Sequence, residues 1–67
     1  MALKDRIIEL RKENGWTQKQ VAEILKMSPT GYASWEQGLS EPSTAQIKIL
    51  CKLYKVTSDY LLELADN

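Results

Sequence analysis

Apolar side chains in this chain recur three and four residues apart, and polar punctuation falls between the runs. Asn14-Gly15, Ser28-Pro29, Gly38 and Glu41-Pro42-Ser43 divide the sequence into short blocks. Within the blocks the spacing is helical rather than alternating, and no block holds a run of β-branched residues. Leu3, Ile7 and Leu10 predict a first helix over residues 3–13, ended by Asn14-Gly15 with Gly15 as the left-handed cap. Thr17 reads as the N-cap of a second helix over residues 18–25, with Val21, Ala22 and Leu25 facing inward. Ser28 and Pro29 are start signals for a third helix, which carries Tyr32 and Trp35 to Gln37 and stops at Gly38. Ser43, after Pro42, caps a fourth over residues 44–54, with Ile47, Leu50, Cys51 and Tyr54 on one face. A fifth begins after Thr57, with Asp59 suited to the dipole of its first turn and Tyr60, Leu61 and Leu64 apolar. Residues 65–67 are expected to fray.

The expected fold is therefore all-α, with five helices in one domain over residues 1–67. Only Lys26 and Met27 connect the second helix to the third, which is the tight turn of a helix-turn-helix. No internal repeat, linker or low-complexity tract interrupts the pattern.

Composition narrows the function. At 67 residues the chain can bury one small core, with no room for a separate catalytic or sensing domain. A hydrophobic fraction of 43% and a charged fraction of 27% are globular values. No apolar run approaches the roughly 20 residues that span a bilayer, and no signal segment opens the chain, so the cytoplasm is expected and no membrane partner. One cysteine and no histidine leave no zinc site, no internal disulfide and no histidine-dependent nucleophilic catalysis. Cys51, at an apolar helical position, reads as a small core residue. Neither enzyme activity nor a cofactor is expected. Asp5 and Glu9 share a solvated helix face with Lys4 and Arg6; paired carboxylates imply hydrolysis only across a cleft.

Gly15-Trp16-Thr17-Gln18, Val21-Ala22-Glu23, Met27-Ser28, Trp35-Glu36-Gln37-Gly38 and Pro42-Ser43, closed by Val56-Thr57-Ser58-Asp59-Tyr60-Leu61-Leu62, follow one another at spacings that resemble the Cro/cI (Xre-like) helix-turn-helix family. The resemblance runs over residues 3–64. It implies a lambda-repressor-like five-helix DNA-binding domain, dimeric on palindromic operators, with the third helix in the major groove. By this resemblance Ser28, Pro29, Thr30, Ala33 and Ser34 face the bases. Thr17, Gln18, Lys19 and Gln37 fall to the phosphates, Gln18 at a helix start where unpaired N–H groups favour an anion. Arg11 and Glu36 match a pair commonly salt-bridged in the family, the alternative being two unpaired surface charges. Tyr60 and Leu61 lie where the family often builds its dimer contact. The implied function is a transcriptional regulator, a repressor on a short inverted repeat. The other reading is a protein-interaction module, antitoxin or controller component that keeps the fold and engages a regulatory protein partner.

Several positions depart from the family pattern. The third helix offers Thr30, Ser34 and Gln37 but no Arg or Lys for two-pronged base readout. Gly31 within it either admits close backbone approach to DNA or is neutral drift. Glu41 stands where the family often has a basic residue. Nine Lys/Arg balance nine Asp/Glu, so a shallow salt dependence is expected. Lys26 and Lys55 occupy turn positions where the family commonly has glycine, which predicts a positive φ at both or rebuilt turns. Trp16 and Trp35 are expected to pack rather than to stack on bases, and Tyr32 to be half-buried with a wet hydroxyl. Ile24 is either a stray exposed side chain or part of a second contact.

Overall fold

A computed structural model of the chain describes residues 2–62. Leu64 and the expected fraying of residues 65–67 lie outside the described residues. Among the described residues there are five helices and no strand: α1 (Leu3–Glu13), α2 (Gln18–Ile24), α3 (Pro29–Gln37), α4 (Thr44–Tyr54) and α5 (Ser58–Leu61). The second helix ends one residue short of expectation, with Leu25 as its C-cap.

The capping residues read from the sequence hold the helix starts. The side chains of Thr17, Ser28, Ser43 and Thr57 each accept the N–H that lies three residues on. For α2 and α4 the bond is returned: Gln20 and Gln46 side-chain oxygens accept from the N–H groups of Thr17 and Ser43 at 2.8 and 2.7 Å.

The first four helices all stop in the same way. A residue with positive φ follows each: Gly15 (70°), Lys26 (59°), Gly38 (78°) and Lys55 (57°). The next N–H then reaches back five residues: Trp16 to Arg11, Met27 to Ala22, Leu39 to Ser34 and Val56 to Cys51. This is the Schellman closure, which satisfies the last carbonyls of a helix. The two lysines thus adopt the left-handed conformation without the turns being rebuilt. A side chain there costs about 1–2 kcal/mol. Lys26→Gly and Lys55→Gly are therefore expected to stabilise the protein, each by about 0.5–1 kcal/mol after the extra freedom glycine gains in the unfolded chain. Urea unfolding of the two variants checks this; a loss of stability would mean that the lysine stems pack to an extent that outweighs the strain.

The core collects the inward stripes: Ile7 and Leu10 of α1, Val21 and Ala22 of α2, Tyr32 and Trp35 of α3, Leu50 and Tyr54 of α4, and Leu61 of α5. α3 packs on α2 and α1, while α5 is held by α1 and α4. Ala22 is fully buried, so a larger side chain there would have no free space to occupy. Trp16 is half-buried and meets the Tyr54 ring at 5.9 Å, so both tryptophans serve packing. Cys51 is half-buried beside the core.

Two expectations are corrected. Tyr32 is not half-buried; its exposure is 0%, because its position on α3 lies between the α1 and α4 sides of the core. Leu61 also has 0% exposure. A side chain with no accessible surface cannot form a dimer contact, and Leu61 is instead the residue that anchors α5. Tyr60 is half-buried, its ring covered on one face by the Arg6 guanidinium at 4.1 Å.

Candidate nucleic-acid interface

Helical periodicity divides α3 into two faces. Tyr32, Trp35 and Glu36 are buried. Thr30, Ala33, Ser34 and Gln37, spaced three and four apart, form the opposite stripe. Ser28, Pro29, Thr30 and Gln37 are exposed, and Ala33 and Ser34 are half-buried. The stripe is neutral and its side chains are small, so its shape is set mostly by backbone.

Two of its hydroxyls are already engaged. Ser28 Oγ accepts the Gly31 N–H at 3.0 Å as the helix cap. Ser34 Oγ donates to the Gly31 carbonyl at 2.6 Å and shares a hydrogen bond with the Ser40 hydroxyl. Ser40 ties the loop after α3 back onto the helix. Nothing in the sequence signals this contact, since a six-residue separation matches no local motif. A Cβ on Gly31 would sit 3.0 Å from Ser28 Oγ, so the glycine leaves room for the cap, a local reason for it distinct from close approach to DNA and from neutral drift.

Behind the stripe lies a charged cluster. Arg11 Nε and Nη2 donate to the two oxygens of Glu36 at 2.7 and 3.1 Å, and Arg11 Nη1 donates to the Trp16 carbonyl at 2.9 Å. The side chains are 13% and 4% exposed. This is the two-pronged geometry that a planar guanidinium permits, and it joins α1 to the end of α3. Gln18 Nε2 adds a third donor to Glu36 Oε1 at 2.9 Å, which fixes the start of α2 to the same carboxylate. The position and the type of Gln18 pointed to a phosphate; one of its two amide hydrogens is instead taken by Glu36. Thr17, Lys19 and Gln37 are exposed.

Burial alone would raise the Glu36 carboxyl, but hydrogen bonds from Arg11 and Gln18, helped by the nearby Tyr32 hydroxyl, outweigh it and hold the group below the usual carboxylate range. The Arg11 guanidinium is raised, chiefly by its bond to Glu36. The Tyr32 hydroxyl helps to stabilise Glu36 from outside ordinary hydrogen-bond geometry; it and the Tyr54 hydroxyl are buried without a hydrogen-bond partner. Both phenols are raised chiefly by burial and further by the neighbouring Glu36 carboxylate, Tyr54 to about 12.

A phenol raised in the folded state contributes stability that is complete below its unfolded value of about 10 and is lost as pH rises through the folded value. Alkaline unfolding is thus expected to draw on Tyr54 between pH 10 and about 12. Tyr54→Phe should move the alkaline midpoint, followed by circular dichroism, to higher pH. An unchanged midpoint would show that Tyr54 ionises as freely folded as unfolded.

Among the described residues no group of His, Cys, Asp and Glu is placed to hold a metal ion, and no helix is long and apolar enough to cross a membrane.

Two short helices joined by a tight Schellman turn, the second offering an open stripe and buttressed from behind by a third, define a helix-turn-helix protein. The chain belongs to the Cro/cI-type helix-turn-helix family, which matches residues 7–61. It is 37% identical over 62 residues to the HTH-type transcriptional regulator ImmR of Bacillus subtilis, covering 92% of this chain and 49% of ImmR. It is 36% identical over 58 residues to the HTH-type transcriptional regulator AnsR of Bacillus subtilis, covering 87% of this chain and 50% of AnsR. The crystal structure of a transcriptional regulator from Listeria innocua has the same fold, with a TM-score of 0.87 at 22% identity over 97% of this chain and 61% of that one. The chain spans about half the length of ImmR and AnsR.

Proposed function

We propose that the chain is a sequence-specific reader of double-stranded DNA that regulates transcription in the cytoplasm, as a repressor bound to a short inverted repeat as a homodimer. The observation that carries this reading is the outward stripe of α3, with Ser28, Pro29, Thr30, Ala33, Ser34 and Gln37 in line and the Arg11–Glu36 pair rigid behind it. The similarity to proteins named as transcriptional regulators supports it.

In this reading α3 enters the major groove. Thr30 and Ala33 offer methyl groups to thymine, and the remaining lone pairs of the serines offer hydrogen bonds. Thr17, Lys19, Gln37 and the second amide hydrogen of Gln18 meet the phosphates flanking the groove. Tyr60 lies at the contact between protomers. With no cation on the stripe, specificity comes from shape and apolar contact more than from charge. Two or three neutralised phosphates per half-site, doubled for the dimer, give a slope of log K against log salt of about −4 to −5.

Selection of the purified protein on randomised duplex DNA at about 50 mM salt tests the proposal. Enrichment of an inverted repeat with half-sites about one helical turn apart supports both readout and dimeric binding. No enrichment by folded protein would favour a protein-interaction module that retains the fold.

A further inference from the structure

The positive charge that the DNA-reading stripe lacks is concentrated elsewhere. Residues 44–55 carry Lys48, Lys52 and Lys55, three of the nine basic residues of the chain and none of its nine acidic ones. All three lysines are exposed, and none is ion-paired among the described residues. Lys48 and Lys52 are one turn apart on the outer face of α4, and Lys55 closes its end. Ile49 sits between them and is 49% exposed. Beside Ile49 is an indentation lined by Leu25, Met27, Trp35 and Gln46. Lys26 stands on its rim, between Leu25 and Met27 in the turn. The nearest carboxylates along the chain are Glu23 on α2, Glu41 before α4 and Asp59 in the first turn of α5.

We propose that this face of α4 and the α2–α3 turn is a docking surface for an acidic, amphipathic helical segment of a protein partner. The inference does not rest on the DNA-reading proposal. A phosphate backbone would explain the lysines but gains nothing from an exposed isoleucine beside Leu25 and Met27. An apolar partner would explain Ile49 but not the unpaired charges around it. A helix with leucines on one side and carboxylates flanking them satisfies both, as helix-in-groove recognition requires. Apolar anchors supply the affinity, and complementary charge supplies orientation and rate of encounter.

The test uses the full 67-residue chain labelled with nitrogen-15. It is titrated with a synthetic peptide of about five helical turns, with leucines at positions i, i+3, i+4 and i+7 and glutamates elsewhere. Amide shifts are expected over residues 25–27 and 45–52. Binding should weaken about tenfold in Ile49→Ser and be lost in the Lys48→Glu/Lys52→Glu double variant, with helical circular dichroism unchanged in both. A scrambled peptide of the same composition that binds equally well would reduce the surface to a charge effect and overturn the proposal. Absent shifts, or shifts on α3, would overturn it as well. Random duplex DNA that shifts the same residues at lower concentration assigns the face to nucleic acid, and shifts that grow with protein concentration alone assign it to a second copy. Either result overturns the assignment to an acidic partner.

Discussion

Replacing Arg11 with alanine is expected to cost about 3–5 kcal/mol, because it leaves the Glu36 carboxylate buried without its cation. That loss is comparable with the whole stability of a domain this size, about 3–10 kcal/mol, so Arg11→Ala should be largely unfolded at neutral pH. Arg11→Lys should rescue only part of it. An ammonium cannot donate to both Glu36 oxygens and to the Trp16 carbonyl in the fixed plane seen here. Arg11→Met combined with Glu36→Leu should recover most of the stability, since a buried pair replaced whole by apolar groups leaves no charge behind. The acid limb gives a second check. A carboxyl lowered in the folded state contributes stability present above its unfolded value of about 4.3 and lost as pH falls through the folded value. Glu36→Gln should flatten that limb in urea titrations across pH 2–5. A Glu36→Gln limb as steep as the parent's would place the acid sensitivity in other carboxyls.

Tyr32 gives the other large effect, and it separates ring from hydroxyl. Tyr32→Ala removes a side chain of 0% exposure that packs edge-on to Trp35 with ring centroids 5.8 Å apart. The expected cost is about 3–5 kcal/mol, transfer and cavity together. Tyr32→Phe should be nearly neutral, because the hydroxyl has no hydrogen bond in ordinary geometry. The small loss of its help to Glu36 offsets the relief of a buried, unpartnered oxygen. Thermal unfolding of the two variants decides the matter. A Tyr32→Phe variant as damaged as Tyr32→Ala would show that the hydroxyl is a full member of the Arg11–Glu36 cluster.

The sequence by itself determined the helices, their starts and their stops. Those signals are local: a hydroxyl three residues before an N–H, a proline at a first helical position, a glycine after a last turn. Local signals survive in a linear reading because the partners are within one turn of each other. The left-handed conformations of Lys26 and Lys55 were one of two outcomes implied by the family pattern, which commonly has glycine at both positions, and the structure decided between that and rebuilt turns. The Arg11–Glu36 pair came from the family pattern rather than from spacing, because 25 residues separate its members.

Only the tertiary structure decided the rest. Gln18 and Glu36 are 18 residues apart, and the helical spacing of each says nothing about the other. Tyr32 and Leu61 carried the apolar character of either a core or a contact surface, and only the packing of α1, α4 and α5 around them made both core. The Ile49 indentation joins α4 to the turn between α2 and α3. In each case the property belongs to a space between elements, set by how the helices cross, and no periodicity along one chain segment encodes a crossing.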